Sequence, residues 1–281
     1  MRIVSVSVGP LASASANNIA LSQSVTGAGQ FVLTGSLASS LTSGTATISG
    51  TTLTTTGSGW APQQALSGAG VQPNTVIIGY SSVSAGTYVI SPSQTVSSTT
   101  VYANAVATLD KPRRVLITSA GNDSGITFTI NGTTFAGAPV SETITGGNAA
   151  AVYTVTDFAS VTSVTTSGST ASTVTIGTNG VASSSWVCFD NWVTSNIAIQ
   201  ATVAGTVNYT IQQSLNDPND PTYPVAIPSV TWVNSNDTAV VSATATQQSN
   251  YIFTPTFSRV VLNSGTGSVT VKYGQTGVVT L

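Results

Sequence analysis

The sequence predicts an all-β protein, and two observations support this: alternating apolar and polar residues, and closely spaced turn signals. Residues 126–130 (ITFTI) alternate strictly, as do 207–211 (VNYTI) and 269–273 (VTVKY), whereas helical periodicity is nearly absent. Turn signals such as Asn131-Gly132 and the Gly-Gly-Asn at 146–148 recur about every 8–12 residues, which is typical of β-sandwiches and barrels. We therefore expect β-sandwich domains of the jelly-roll or immunoglobulin-like type.

Further strands are expected wherever the alternation returns between these turns. The segments are 140–144 (VSETI), 152–155 (VYTV), 161–164 (VTSV) and 174–176 (VTI). Asn131-Gly132 follows the first strand directly and is the strongest two-residue hairpin signal, so a hairpin turn is predicted there.

Composition argues against an enzyme. The 281 residues include no His, one Cys (Cys188) and 14 charged side chains, 6 basic and 8 acidic. Without His there is no Ser-His-Asp triad and no imidazole base, and His/Cys zinc sites are excluded. A carboxylate pair could serve a glycosidase, but the acids are scattered and Glu142 is the only Glu. We expect no catalytic, cofactor-binding or metal-binding residues.

Charge and hydropathy also argue against nucleic-acid and membrane partners. The net charge is −2, and Lys111, Arg113 and Arg114 form the only local group of cations, which is more typical of a solvated strand entry than of a phosphate site. No uninterrupted apolar run is long enough to cross a bilayer, and the N-terminus lacks the apolar stretch of a signal peptide. A single Cys allows no internal disulfide, so packing must hold the fold.

The chain is long enough for several domains. Residues 1–37 are predicted to contribute a strand to a first sandwich at 106–184, with a second sandwich at 185–281 and a small β module inserted at 38–105. A repeated pattern favours two similar sandwiches: 114–121 (RVLITSAG) and 259–265 (RVVLNSG) each precede an alternating strand. Two copies of one hairpin would produce this pattern, and so would chance resemblance among Val/Thr/Ser-rich strands.

Four aromatic residues are candidate partner contacts: Trp60, Tyr80, Trp186 and Trp192. Exposed aromatic rings are common anchors at interfaces. Trp60 could instead fill the core of the inserted module, and Trp186 and Trp192 could fill a core between the sandwiches.

Two polar features carry further predictions. Asn216-Asp217-Pro218-Asn219-Asp220-Pro221 is either a turn, since these are turn-forming residues, or a calcium loop, since its oxygens suit a hard cation. Glu142, if buried, is expected to pair with Arg113 or Arg114, because a buried carboxylate needs a partner.

Several segments resemble small β-rich proteins of tailed-bacteriophage and prophage genomes. These segments are 17–23 (NNIALSQ), 29–35 (GQFVLTG), 107–130, 141–146 (SETITG), 205–212 (GTVNYTIQ) and 264–270 (SGTGSVT). Residues 44–98 depart from that pattern and resemble a small β module recurrent in phage structural and tail proteins, with 59–71 (GWAPQQALSGAGV) and 86–96 (GTYVISPSQTV) as its clearest stretches.

This resemblance implies a non-enzymatic virion structural protein, made in the bacterial host cytoplasm and assembled into the virion. It implies capsid decoration or a neck or tail accessory role, with other virion proteins as partners. The alternative is a host-surface-binding fibre or adhesin, in which aromatic residues contact glycan. Thr/Val strands with few Lys or Pro residues at their edges favour a homo-oligomer, and the resemblance favours a trimer. No cofactor is expected.

Overall fold

The structure is a computed structural model that describes residues 2–39, 42–62, 64–72, 75–81, 86–103, 106–189 and 196–275. Within these ranges it contains strands and two short 3-10 turns but no α-helix. All strand pairs are antiparallel, in sandwich-type packing. The prediction of an all-β fold is confirmed.

The strands run in this order: β1 Arg2–Val8, β2 Ser15–Gln23, β3 Gly29–Gln30, β4 Thr42–Thr55, β5 Leu66–Gly68, β6 Val76–Tyr80, β7 Thr87–Ala103, β8 Ala107–Ser119, β9 Thr127–Thr133, β10 Pro139–Thr145, β11 Ala151–Thr166, β12 Val174–Ser183, β13 Val187–Cys188, β14 Ile197–Ala204, β15 Val207–Ser214, β16 Val233–Asn234, β17 Gln247–Tyr251, β18 Phe257–Gly265 and β19 Ser268–Gln275. The 3-10 turns are Ile227–Ser229 and Thr238–Val240.

Three sheets connect these strands. One has the order β1-β19-β14-β17, and a small one joins β4, β5 and β6 to β7. The largest has the path β10-β9-β11-β8-β12-β18-β15-β16, with β2, β3 and β13 attached. Because β12 pairs with β8 on one side and with β18 on the other, the large sheet runs through both halves of the molecule.

Three hydrophobic cores lie against these sheets. The first core contains side chains of β2, β8, β9, β11 and β12, and the second contains side chains of β14, β15, β18 and β19 together with Val8 of β1. The module core lies entirely between Ala46 and Ala103. Apolar side chains alternate inward along these strands, which is why the sequence alternates.

The N-terminal segment divides between two of these cores. Strand β2 pairs with β12 beside the first core, in line with the strand expected from residues 1–37. Strand β1 instead pairs along its whole length with β19, beside the second core. The sequence did not indicate this second pairing, because β1 and β19 are separated by nearly the whole chain.

The predicted turn at Asn131-Gly132 is wrong, because both residues lie within β9. The β9–β10 connection comes later, at 134–138, where the Gly137 amide donates to the Thr134 carbonyl. Gly132 serves close packing instead: a Cβ placed there would lie 1.9 Å from the Ser160 carbonyl oxygen of β11. A turn and a close strand approach both select glycine, so the residue pair alone cannot distinguish them.

The repeated pattern does not form two hairpins. Strand β9 is separated from β8 by β11, and β19 lies in a different sheet from β18. In both copies, the strand after the glycine turn therefore does not pair with the strand before it. What the two copies share is position, because β8 and β18 flank β12 on opposite sides.

Candidate functional site

A cleft of about 430 Å³ opens where the first and second cores meet. We call it the junction cleft. Its walls come from the β9–β10 turn, the middle of β11, the residues after β12, the loop before β16 and the start of β18. The lining residues are Pro112, Thr134, Phe135, Ala136, Ala138, Val155, Thr156, Asp157, Ser183, Ser184, Ser185, Trp186, Pro218, Asn219, Ile227, Pro228, Val230, Trp232, Phe257 and Arg259.

A buried ion pair forms part of the cleft lining. Arg259 Nη1 of β18 lies 3.4 Å from Asp157 Oδ2 of β11, and the two side chains are 5% and 7% exposed. Ser183 donates its hydroxyl to the same Oδ2, and Arg259 Nε donates to Gln212 Oε1. Burial raises the pKa of Asp157 despite the Arg259 charge, and burial lowers the pKa of Arg259 to about 10.

Two more charged residues lie beside this pair. Arg114 of β8 is opposite Asp157 in the β8–β11 register, and its charge acts against the rise in the Asp157 pKa. Glu142 is half-buried, and its two carboxylate oxygens accept 2.7 Å hydrogen bonds from the Val155 and Thr156 amides. The predicted pairing of Glu142 with Arg113 or Arg114 is therefore wrong: main-chain amides satisfy its oxygens.

Arg113 pairs elsewhere. Its guanidinium lies 3.1 Å from Asp110 and donates a 2.7 Å hydrogen bond to the Ala12 carbonyl. Burial lowers the pKa of Arg113, and the Asp110 charge opposes that shift. The Lys111-Arg113-Arg114 group is therefore divided between the interior and the surface. Arg113 is fully buried, Arg114 is half-buried and Lys111 is exposed.

Aromatic rings form one wall of the junction cleft. The Arg259 guanidinium lies over the Trp232 ring at 4.3 Å from its centroid, in cation–π geometry. Trp186 meets Trp232 edge-on at 5.0 Å and Phe257 at 5.6 Å. The ion pair, the guanidinium stack and the two edge-on contacts thus hold the rings in fixed positions.

The four candidate aromatic contacts lie in different environments. Trp60 is 4% exposed and belongs to the module core, where it contacts Tyr88; of its two predicted roles the structure supports the core role and not the partner contact. Tyr80 is 68% exposed on the module. Trp186 is half-buried and lines the junction cleft. Trp192 lies outside the described residues.

The loop at 216–221 has the geometry of linked turns. Asp217 accepts from the Asn219 amide, and Asp220 accepts from the Thr222 and Tyr223 amides, each at 2.8 Å. These amide bonds lower the pKa of Asp220. In the described part of the chain, no three His, Cys, Asp or Glu residues lie close enough together to hold a metal ion. Across the same residues, no helix is long and apolar enough to cross a membrane.

Sequence reasoning missed most of the junction cleft. Trp232, Phe257, Asp157 and Arg259 are far apart in the chain, and no local motif joins them. The one available signal was the repeated Arg-Val pattern, which places Arg114 and Arg259 on the two strands that flank β12. The positive charges of Arg114 and Arg259 both act to lower the pKa of Asp157.

Comparison with known proteins adds no identification. No protein-family model matches the chain, and no curated protein matches it.

Proposed function

We propose that this chain is a non-enzymatic structural protein of a tailed-bacteriophage virion, acting by assembly with other virion proteins as a capsid decoration or a neck or tail subunit. The observation that carries the proposal is a surface that is poor in charge and exposes large apolar side chains. The resemblance of the sequence to β-rich phage proteins supplies the virion context.

Several of the charged side chains that the structure describes lie inside the fold. Among the charged side chains that the structure describes, Asp110, Lys111 and Lys272 are exposed, and Asp217, Asp220 and Asp237 are partly exposed. Arg113, Arg259 and Asp157 are held in ion pairs, and Glu142 is bound by main-chain amides. Weak charge repulsion lets copies or partners approach closely, which suits a subunit of an assembly better than a free soluble protein.

Large apolar side chains are exposed at one end of the second core. Leu215 follows β15 and is 71% exposed; Ile252 is 79% exposed and, with Phe253, leads into β18. These segments are neighbours, because Ser214 pairs with Phe257 and Thr256 donates to the Leu215 carbonyl. Clustered apolar exposure is typical of surfaces that partners cover.

Strand β4 offers a second assembly surface. It is 14 residues long, contains no charged residue or proline, and pairs only with β7 among the described strands. Monomeric proteins usually protect such edges with Lys, Pro or short strands. An unprotected edge supports pairing with another chain, including a second copy, and so supports the proposed homo-oligomer.

Quantitative mass spectrometry of purified virions from the phage that encodes this chain tests the proposal. We expect the chain to copurify with particles in a fixed ratio to the major capsid protein. Many copies per particle would indicate capsid decoration, and a few would indicate the neck or tail. Its absence from particles would contradict the proposal.

Rebinding provides a matched control. Particles that lack the chain should recover it from solution. A Leu215→Asp/Ile252→Asp variant should rebind more weakly, whereas Lys272→Ala should rebind normally. Light scattering of the isolated protein measures its oligomeric state, for which we expect a trimer.

A further inference from the structure

We propose that the junction cleft is a binding site for a neutral carbohydrate, with a sugar ring against the Trp186–Trp232 wall. This inference goes beyond the assembly role and does not depend on it. It rests on the size of the cleft, its fixed aromatic rings, its balanced charge and a buried acceptor that lacks a donor.

Size and wall construction favour a small ligand of mixed polarity. About 430 Å³ lies within the range of small-molecule sites. The lining combines rings and prolines with hydroxyl, amide and carboxylate groups. A sugar ring presents an apolar face of C–H bonds and an edge of hydroxyls, and this combination matches such a lining.

The rings are positioned before any ligand arrives. Trp232 is fixed by the Arg259 guanidinium at 4.3 Å and by the edge of Trp186 at 5.0 Å. Arg259 is in turn held by Asp157 and Gln212. Preorganised rings lose little conformational entropy on binding, so their contact area contributes efficiently to affinity.

The charge balance favours a neutral ligand over an ionic one. Arg259 and Asp157 neutralise each other, and the adjacent Arg114 and Glu142 also carry opposite charges. Asp157 and Arg259 are the charged residues of the cleft lining and they are paired with each other, so the cleft offers no unpaired charge of either sign to an ionic ligand. A neutral polyol needs no such charge and still has donors to offer.

One carboxylate oxygen of the cleft residue Asp157 lacks a hydrogen-bond donor. Asp157 Oδ2 receives Ser183 and Arg259, but Asp157 Oδ1 is buried and has no hydrogen-bond partner among the described residues. An unpaired buried acceptor is unfavourable. Because Asp157 lines the cleft, a ligand hydroxyl, or a water held by the ligand, is the kind of donor that Oδ1 lacks.

The rim supplies the remaining polar contacts. Asn219 is exposed and Ser185 is half-buried, and both line the opening. Phe135, at the tip of the β9–β10 turn, is 66% exposed and lies on the same rim. Phe135 can therefore be changed without opening a core.

Binding of neutral oligosaccharides to the full chain tests the proposal. Maltotriose, cellotriose, chitotriose and a galactose disaccharide are titrated by calorimetry, with oligogalacturonate as the charged comparison. We expect at least one neutral sugar to bind and the charged one to bind more weakly. Trp232→Ala and Trp186→Ala should each weaken binding about tenfold or more, while Tyr223→Ala, an exposed ring outside the cleft lining, should bind like the unchanged protein.

Folding controls keep the test decisive. If either Trp variant fails to fold, Phe135→Ala and Asn219→Ala replace it, and we expect both to weaken binding severalfold. No binding by any sugar, equal binding by all cleft variants, or preferred binding of the charged sugar would each overturn the proposal. Binding of proline-rich peptides in the cleft with no sugar binding would overturn it in favour of a peptide site. None of these outcomes bears on copurification with virions, so the two proposals fail separately.

Discussion

Arg259 and Asp157 are 102 residues apart in the chain, but Arg259 Nη1 lies 3.4 Å from Asp157 Oδ2 and both side chains are almost fully buried. The pair links β18, beside the second core, to β11, beside the first core. It therefore contributes both to the junction of the two cores and to the position of the Trp232 ring.

Removing one partner of this pair should destabilise the protein strongly. Asp157→Ala leaves the Arg259 charge buried and unpaired, so we expect the free energy of unfolding to fall by about 3–5 kcal/mol. Chemical denaturation measures this, with exposed Lys272→Ala as a control expected to change little. Asp157→Ala/Arg259→Met should lose less than Asp157→Ala alone, since no charge remains buried. Equal losses would show that the ion pair does not account for the effect.

Ser258 should be the key hydroxyl of the second core. It donates to the Gln212 carbonyl at 3.0 Å and so accepts from both Tyr251 at 3.0 Å and Tyr273 at 2.9 Å. Ser258→Ala leaves two buried phenol groups without acceptors, at about 1–3 kcal/mol each in unfolding free energy. In a Tyr251→Phe/Tyr273→Phe background, Ser258→Ala should lower the free energy of unfolding by clearly less. An equal loss would contradict this assignment.

The same tyrosines predict a loss of stability at alkaline pH. Burial raises the pKa of Tyr251 from 10.0 to about 12, and burial also raises that of Tyr273. The folded state therefore holds its phenol protons more tightly than the unfolded state. Their contribution is intact below pH 10 and is lost as the pH rises from 10 towards 12. Denaturation at several pH values should show this fall, and it should be smaller in Tyr251→Phe/Tyr273→Phe. A pH-independent stability would contradict the raised pKa values.

Gly132 should not tolerate a side chain. A Cβ there would meet the Ser160 carbonyl oxygen at 1.9 Å and the Phe158 ring at 2.8 Å, so β11 would have to move. We expect Gly132→Ala to lower the unfolding free energy by about 1–3 kcal/mol. Gly180→Ala is the matched control, because a Cβ at that strand position meets nothing within 4 Å. Similar melting temperatures for the two variants would argue against close packing at Gly132.

The inserted module should be removable. Its core lies wholly within residues 46–103, and its two ends lie side by side, since the Ser39 amide donates to the Val106 carbonyl at 2.9 Å. Replacing 40–105 with a short Gly-Ser linker should leave a soluble, β-rich protein that unfolds cooperatively, as circular dichroism would measure. Loss of folding, or aggregation of the shortened chain, would show that the module is integral to the fold.

Local pattern was sufficient for the class of fold and for most strands. Alternation at 140–144, 174–176 and 207–211 corresponds to β10, β12 and β15, because each inward side chain meets a core in a period of two. It failed where one residue type serves two purposes. Gly132 is predicted to form a turn but lies inside β9. The alternation also predicts strands at 152–155 and 161–164 without showing that they belong to a single strand, β11, whose register shifts between Tyr153 and Ser160.

The amino-acid sequence by itself determined that this protein is all-β, poor in charge and without His. Tertiary structure alone decided that β1 pairs with β19, that Glu142 binds main-chain amides, and that Asp157, Arg259, Trp186 and Trp232 meet at one cleft. The reason is physical. Strand propensity and alternation depend on neighbouring residues, whereas strand order and buried ion pairs depend on contacts between residues far apart in the chain, which leave no local periodic signal.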